Sequence, residues 1–190
     1  SALYHTLIHP SILNDVNGEY PLMESDGVGR VPAGHNRYSV FSLWDTYRNL
    51  HQLMTLVYPE RQLDMVRSMI DIYKEWGWMP KWELFGRETF TMEGDPAIPV
   101  ITDTWLKGLR GFDIETAYEA FVKSATAKGT DNLMRPDIDP YLEKGYVPLG
   151  MYSADLSGDN SVSHALEYYI ADYALSLLAS DLGHAEDSER

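Results

Sequence analysis

The sequence predicts an all-α fold assembled from helical hairpins. Three observations carry that prediction: apolar residues recur at threes and fours over long stretches, caps and breakers divide those stretches into consecutive pairs, and strand signal is slight. Hairpin after hairpin is the pattern of helical solenoids and toroids, although no fixed repeat is present to name a solenoid family.

Each element follows from local chemistry. Residues 10–37 carry prolines, glycines and turn formers, as in Asn17-Gly18-Glu19 and Asp26-Gly27-Val28-Gly29, without a sustained period, and read as a long loop with a short strand or two. Over 40–57 the positions Val40, Leu43, Trp44, Tyr47, Leu50, Met54 and Val57 form one helical face. Pro59 ends that helix and suits the first turn of the next, where Leu63, Val66, Ile70 and Tyr73 form a stripe while Asp64, Arg67, Asp71 and Lys74 face water. So short a link folds the two back as a hairpin. After an irregular segment, 77–94, Asp95 and Pro96 read as a cap and a first-turn proline opening a stripe of Ile98, Ile101, Trp105 and Leu109, stopped at Gly111. Asp113 caps a helix with Ala117, Phe121 and Ala125 that stops near Gly129, making a second hairpin.

Residues 130–160, rich in Pro, Gly and Asp, are too long for an idle connection and should pack or line a site. Val162, Leu166, Tyr169, Tyr173 and Leu177 then give a long helix to Gly183, followed by a charged, frayed tail. Helices 40–57 and 162–182 are apolar around more than one face, as helices buried between layers are, and five helices cannot cover them all. The opening inside an apolar stretch without a start methionine adds to the expectation of a piece truncated at both ends.

Composition narrows the function. With 29 acidic against 15 basic side chains the net charge is -14, and no basic patch offers a footing for nucleic acid or an anionic membrane. Without cysteine there are no disulfides, thiol nucleophiles or thiolate metal sites. No run of eighteen apolar residues and no signal-peptide pattern occurs, so the compartment stays open on these grounds. The zincin, phosphate-loop, nucleophile-elbow, dinucleotide and EF-hand signatures are absent, and the six histidines are scattered.

Three segments could carry chemistry. Trp76-Gly77-Trp78-Met79-Pro80-Lys81-Trp82 places three of the five tryptophans within seven residues, and Glu83, Glu88, Glu93 and Asp95 follow. Indole faces offer apolar area to pyranose C–H groups, while carboxylates and guanidinium groups hydrogen-bond hydroxyls. Chemistry alone favours the plainer explanation, tryptophans as hairpin core and acids as caps and surface. In Ser42-Leu43-Trp44-Asp45-Thr46-Tyr47-Arg48, Asp45 and Arg48 share one helical face and either pair with each other or present an acceptor and a donor to a polyol. In the last helix Glu167 and Asp172 sit on an otherwise apolar element, where a charge needs a partner or water.

Taken in order, these segments resemble the α-mannosidases of glycoside hydrolase family 92. The matching stretches are 38–48, Pro59-Glu60-Arg61, 80–84 with Glu88-Thr89 and Met92-Glu93-Gly94, Lys107-Gly108 with Gly111-Phe112-Asp113, and Val162-Ser163 with Leu166-Glu167-Tyr168, together spanning nearly the whole chain. The ordered set is specific where any one piece is weak. The resemblance implies a β-sandwich domain followed by an (α/α)6 barrel of six helical hairpins, of which residues 1–190 form a partial catalytic-barrel domain. It implies a calcium-dependent, inverting α-mannosidase acting on mannose-containing glycans, α-1,2-linked ones in particular, in a bacterial protein that is periplasmic, cell-surface or secreted.

The family's general acid lies in a later Thr-Glu-Gly-Asn motif, its calcium ligands near a later Asn-Glu-Pro motif and its base in a later Asp-Glu-Asp motif. None occurs here, so no catalytic residue and no metal ligand is assigned, Glu93 included, and the chain alone is expected to be inactive. By position the resemblance gives Asp45, Arg48, Trp82, Glu83, Glu88 and Thr89 to the sugar pocket, as hydroxyl ligands and packing. Gly94-Asp95-Pro96 stands where many members carry Gly-Tyr-His, and Ala171 replaces the first of two aspartates; both bear on linkage or leaving group. The partners implied are the glycan, the remainder of the longer chain and a second copy through uncovered apolar faces. The alternative reading is a noncatalytic helical module that binds glycan or protein.

Overall fold

A computed structural model of the chain describes residues 2–150 and 160–188. About half of these residues are helical, and three small antiparallel sheets accompany them, so the all-α expectation is correct for the bulk of the core and incomplete for the chain. A short helix α1 (Ala2–Thr6) leads into β1 (Ser11–Ile12), the hairpin β2 (Glu19–Pro21) and β3 (Val28–Arg30), then β4 (Tyr38–Ser39) and β5 (Phe41–Ser42). β1 pairs with β4, placing Ser11 opposite Ser39, and Tyr20 of β2 lies opposite Gly29 of β3.

The stretch expected as one helix over 40–57 is corrected in two places. It opens with Val40, at φ 65 between β4 and β5, and then β5 itself, and the helical part is split into α2 (Leu43–Thr46) and α3 (Leu50–Val57). The apolar period is real, but β5 finds its backbone partners in a strand forty residues on. Phe41 lies opposite Glu83 and Ser42 opposite Trp82 of β6 (Trp82–Leu84), which turns back as β7 (Arg87–Glu88). Periodicity cannot report a ladder of that sequence separation.

α4 (Pro59–Trp76) starts at its proline and ends at Gly77, which takes φ 95 in the left-handed cap that glycine adopts without strain. Asp64 is buried, against the expectation that it faces water: the segment before β4 lies over α4, and the carboxylate receives the Asn36 N–H at 3.0 Å and Arg67 Nη1 at 2.9 Å. α5 (Ala97–Leu106) has Pro96 at its cap; Asp95 instead bonds Ser124 and Arg135. α6 (Ile114–Thr126) is capped as expected, Asp113 accepting from the Thr116 N–H. The long loop holds α7 (Ile138–Lys144), whose Ile138 and Tyr141 pack with Val147, Ala165 and Tyr168 as a second, small core; its residues 151–159 lie outside those described.

α8 (Ser161–Leu182) ends at Gly183 as expected, and α9 (Ala185–Ser188) follows in the charged tail, of which residues 189 and 190 lie outside those described. The inward face of α8 is the reverse of the one the stripe implied. Val162, Leu166, Tyr169, Tyr173 and Leu177 are exposed, Val162 at 72%. The buried face carries His164, Ala165, Tyr168, Ala171, Ala174, Leu175, Leu178 and Ala179, and its alanines let α8 lie close along α5. On a helix apolar nearly all round, sequence cannot choose the face; small residues opposite a buried neighbour do. The main core joins Phe41 and Leu43 to Val66, Met69 and Ile70 of α4, Ile98 and Ile101 of α5, Phe121 of α6 and Leu178 of α8.

Candidate functional site

The pairing of β5 with β6 brings the two most suggestive segments side by side. Trp82 stands opposite Ser42, and α2 begins at the next residue, so Trp44, Asp45 and Arg48 rise beside the tryptophan-rich turn. Asp45 is exposed and accepts the Ser42 hydroxyl. It does not pair with Arg48. That guanidinium lies 4.6 Å from the Trp44 ring and 4.8 Å from the Tyr47 ring, and its Nη2 donates to Glu167 Oε1 at 3.0 Å. Trp82 is half-buried, and the indole N–H groups of Trp44 and Trp82 have no hydrogen-bond partner among the described residues.

The two predicted glutamates of the sheet are turned inward. Glu83 accepts from the Ser39 hydroxyl and the N–H groups of Val40 and Gly86; burial pushes its carboxyl up, and these bonds, with the Arg37 charge, oppose the shift. Glu88 is gripped by the N–H groups of Lys81, Trp82 and Phe90 at 2.8, 2.9 and 2.9 Å, with burial again pushing its carboxyl up against the pull of those donors. Thr89 is exposed, donating its hydroxyl to the Trp82 carbonyl. The family resemblance gave the six residues to one sugar pocket; the structure divides them into an exposed set of Asp45, Arg48 and Thr89 with half-buried Trp82, and two buried acids that shape the turn.

Backbone strain gathers in the same place. Val40, Phe85, Phe90 and Met92 all occupy positive φ, between 51 and 67. Such conformations cost non-glycine residues about 1–3 kcal/mol each and persist only where surroundings impose them. The Glu83 and Glu88 carboxylates, bonded to the N–H groups of Val40, Gly86 and Phe90, are part of what imposes them.

Four further residues, Glu93, Gly94, Lys81 and Arg135, contribute although sequence reasoning assigned none of them to the sugar pocket. Glu93 accepts from Asn160 Nδ2 at 2.7 Å through Oε1, while its buried Oε2 has no partner among the described residues. Gly94, at φ 76, backs onto α8 so closely that a Cβ would lie 2.6 Å from the Glu167 Cβ. Beneath the sheet, buried Lys81 donates to the Met134 carbonyl at 2.9 Å; burial pushes its ammonium down, and Asp95, Glu88 and Asp137 push back. Arg135, fully buried, donates to Asp95 at 3.1 Å and Asp172 at 2.7 Å, and Tyr141 also donates to Asp172. Glu167 and Asp172 on α8 therefore both have partners, as their apolar setting required. The one signal for Arg135 and Lys81 was a charge within a Pro- and Gly-rich stretch, which does not separate a buried cation from an exposed one.

Aromatic faces beside exposed donors and acceptors suit a polyhydroxylated ligand, which presents C–H patches and hydroxyls together. Among the described residues no three His, Asp or Glu side chains are gathered to hold a metal ion, and no helix is long and apolar enough to cross a membrane.

The glycosyl hydrolase family 92 catalytic domain matches residues 1–190. A GH92 α-mannosidase of Bacteroides thetaiotaomicron, BT3965, solved with mannoimidazole, is similar with a TM-score of 0.84 and 36% identity over 97% of this chain and 23% of its own. The GH92 inverting mannosidase BT2199 of the same organism is similar with a TM-score of 0.85 and 29% identity over 100% of this chain and 25% of its own. An uncharacterized secreted glycosidase of Arthroderma benhamiae is 27% identical over 96% of this chain and 20% of its own length. The chain thus spans about a fifth to a quarter of the length of these relatives.

Proposed function

This chain belongs to glycosyl hydrolase family 92, and on that premise we propose that it is part of the (α/α)6 catalytic barrel of an inverting, calcium-dependent α-mannosidase that cleaves mannose-containing glycans, α-1,2-linked ones among them. The observation that carries the reading is the rim formed where β5 meets β6. Trp44 and Trp82 supply apolar faces there, and Asp45, Arg48 and Thr89 supply hydroxyl ligands. Glu83 and Glu88 serve it by fixing the strained turns on which Trp82 and Thr89 stand. The general acid, the base and the calcium ligands belong to other parts of the protein; among the described residues no three His, Asp or Glu side chains gather to hold the ion. An exported protein is part of the same reading, supported by the secreted glycosidase among the relatives.

The test uses the full-length enzyme and an aryl α-mannoside. Asp45→Ala removes a charged hydrogen-bond partner worth about 1.5–3 kcal/mol, so kcat/KM should fall about 10- to 100-fold, with Glu88→Ala falling at least as far because three N–H groups lose their acceptor. Unchanged kinetics in both variants would remove these residues from the site. No turnover of any mannoside by the full-length protein would remove the substrate class.

A further inference from the structure

Resting on the reading of Arg48 as a sugar ligand, we propose that Glu167 of α8 is a positioning residue that holds the Arg48 guanidinium at the rim through a hydrogen-bonded carboxylate. The Arg48 side chain is 45% exposed and would otherwise sample many rotamers; three groups restrain it. The Trp44 and Tyr47 rings lie 4.6 and 4.8 Å from it, and Glu167 Oε1 takes its Nη2 at 3.0 Å. An exposed ion pair of this kind is normally weak and mobile. This one differs on its acidic side, because the Glu167 side chain is only 13% exposed and its second oxygen accepts the Tyr47 hydroxyl at 2.8 Å.

The chain is also shaped around that carboxylate. Gly94 closes the strained turn carrying Phe90 and Met92 directly against Glu167, with no room for a side chain, and the neighbouring Glu93 is tied to Asn160 just before α8. Positions 47 and 48, 94 and 167 thus meet at one carboxyl group. One oxygen of Glu167 fixes the acid itself and the other fixes the arginine. The remaining Arg48 N–H groups, which no described residue takes, are left for a ligand approaching the rim.

A double-mutant cycle in the full-length enzyme tests this with an aryl α-mannoside. Arg48→Ala should lower kcat/KM about 10- to 100-fold, Glu167→Gln about tenfold or more through misplacement of the guanidinium, and Tyr47→Phe by a smaller factor in the same direction. In the Arg48→Ala background, Glu167→Gln and Tyr47→Phe should each change kcat/KM less than about twofold. Urea midpoints taken on every variant separate stability from positioning, since a purely structural Glu167 loses stability equally in both backgrounds without kinetic coupling. Should Glu167→Gln not fold, the Tyr47→Phe cycle decides alone. Losses that multiply undiminished in the Arg48→Ala background overturn the proposal. So does a silent Glu167→Gln beside a damaged Arg48→Ala, which leaves the reading of Arg48 standing; a silent Arg48→Ala overturns both.

Discussion

Stability of this chain should fall between pH 7 and pH 5 because of one buried imidazole, His51. It sits in a closed polar chain inside the core: Gln62 Nε2 donates to Thr104 Oγ1 at 2.9 Å, so Gln62 Oε1 must accept from His51 Nδ1–H at 3.0 Å, leaving Nε2 to accept the Thr46 hydroxyl at 3.0 Å. That arrangement has no place for a second ring proton, and burial pushes the imidazole from 6.5 down to about 4. The unfolded chain therefore binds the proton first as pH falls. Stability is complete above about pH 6.5 and declines by about 1.4 kcal/mol per pH unit until the folded imidazole itself titrates near 4. Between pH 7 and 5 the loss works out at about 2 kcal/mol. Urea unfolding of the parent and of His51→Gln at both pH values isolates the effect, since the carboxylates titrate alike in both. The parent should lose about 2 kcal/mol more than the variant. Equal losses, within about 0.5 kcal/mol, would show that water or a rearranged Gln62 accommodates the imidazolium and would refute the reasoning.

Two other outcomes follow from the same geometry. Arg135→Met should destabilise the chain by about 3–5 kcal/mol, chiefly because buried Asp95 loses its guanidinium; urea midpoints measure it, and a loss below about 1 kcal/mol would mean Asp95 is not dependent on that charge. The exposed stripe of Val162, Leu166, Tyr169, Tyr173 and Leu177 should drive the isolated chain to self-associate, with Leu166→Glu and Tyr173→Glu together shifting sedimentation toward monomer; a clean monomer at the outset would count against it.

Sequence legibility followed the range of the interactions involved. Pro59 at the start of α4, Gly77 and Gly183 at helix ends and Asp113 as a cap were readable because each acts within one turn of backbone. Asp95 misled for the same reason: it had the local form of a cap, but Arg135, forty residues away, and Ser124 claimed its carboxylate. The six candidate site residues were grouped by the family resemblance alone. Their division was not legible, because Glu83 and Glu88 are recognised as buried only once β5 pairs with β6 and the turns close over them.

By itself the sequence determined the start of α4, the cap of α6 and the end of α8, and which segments hold aromatic and acidic chemistry. Those properties reside in spacing and in single-residue backbone preferences. Only the tertiary structure decided that α8 turns its alanines and Tyr168 inward and Tyr169 and Tyr173 out, that Val40 opens a strand turn and not a helix, and that Arg48 answers to Glu167 and not to Asp45. Each of those outcomes depends on groups far apart along the chain, 119 positions in the last case, whose proximity is created by packing and leaves no local trace.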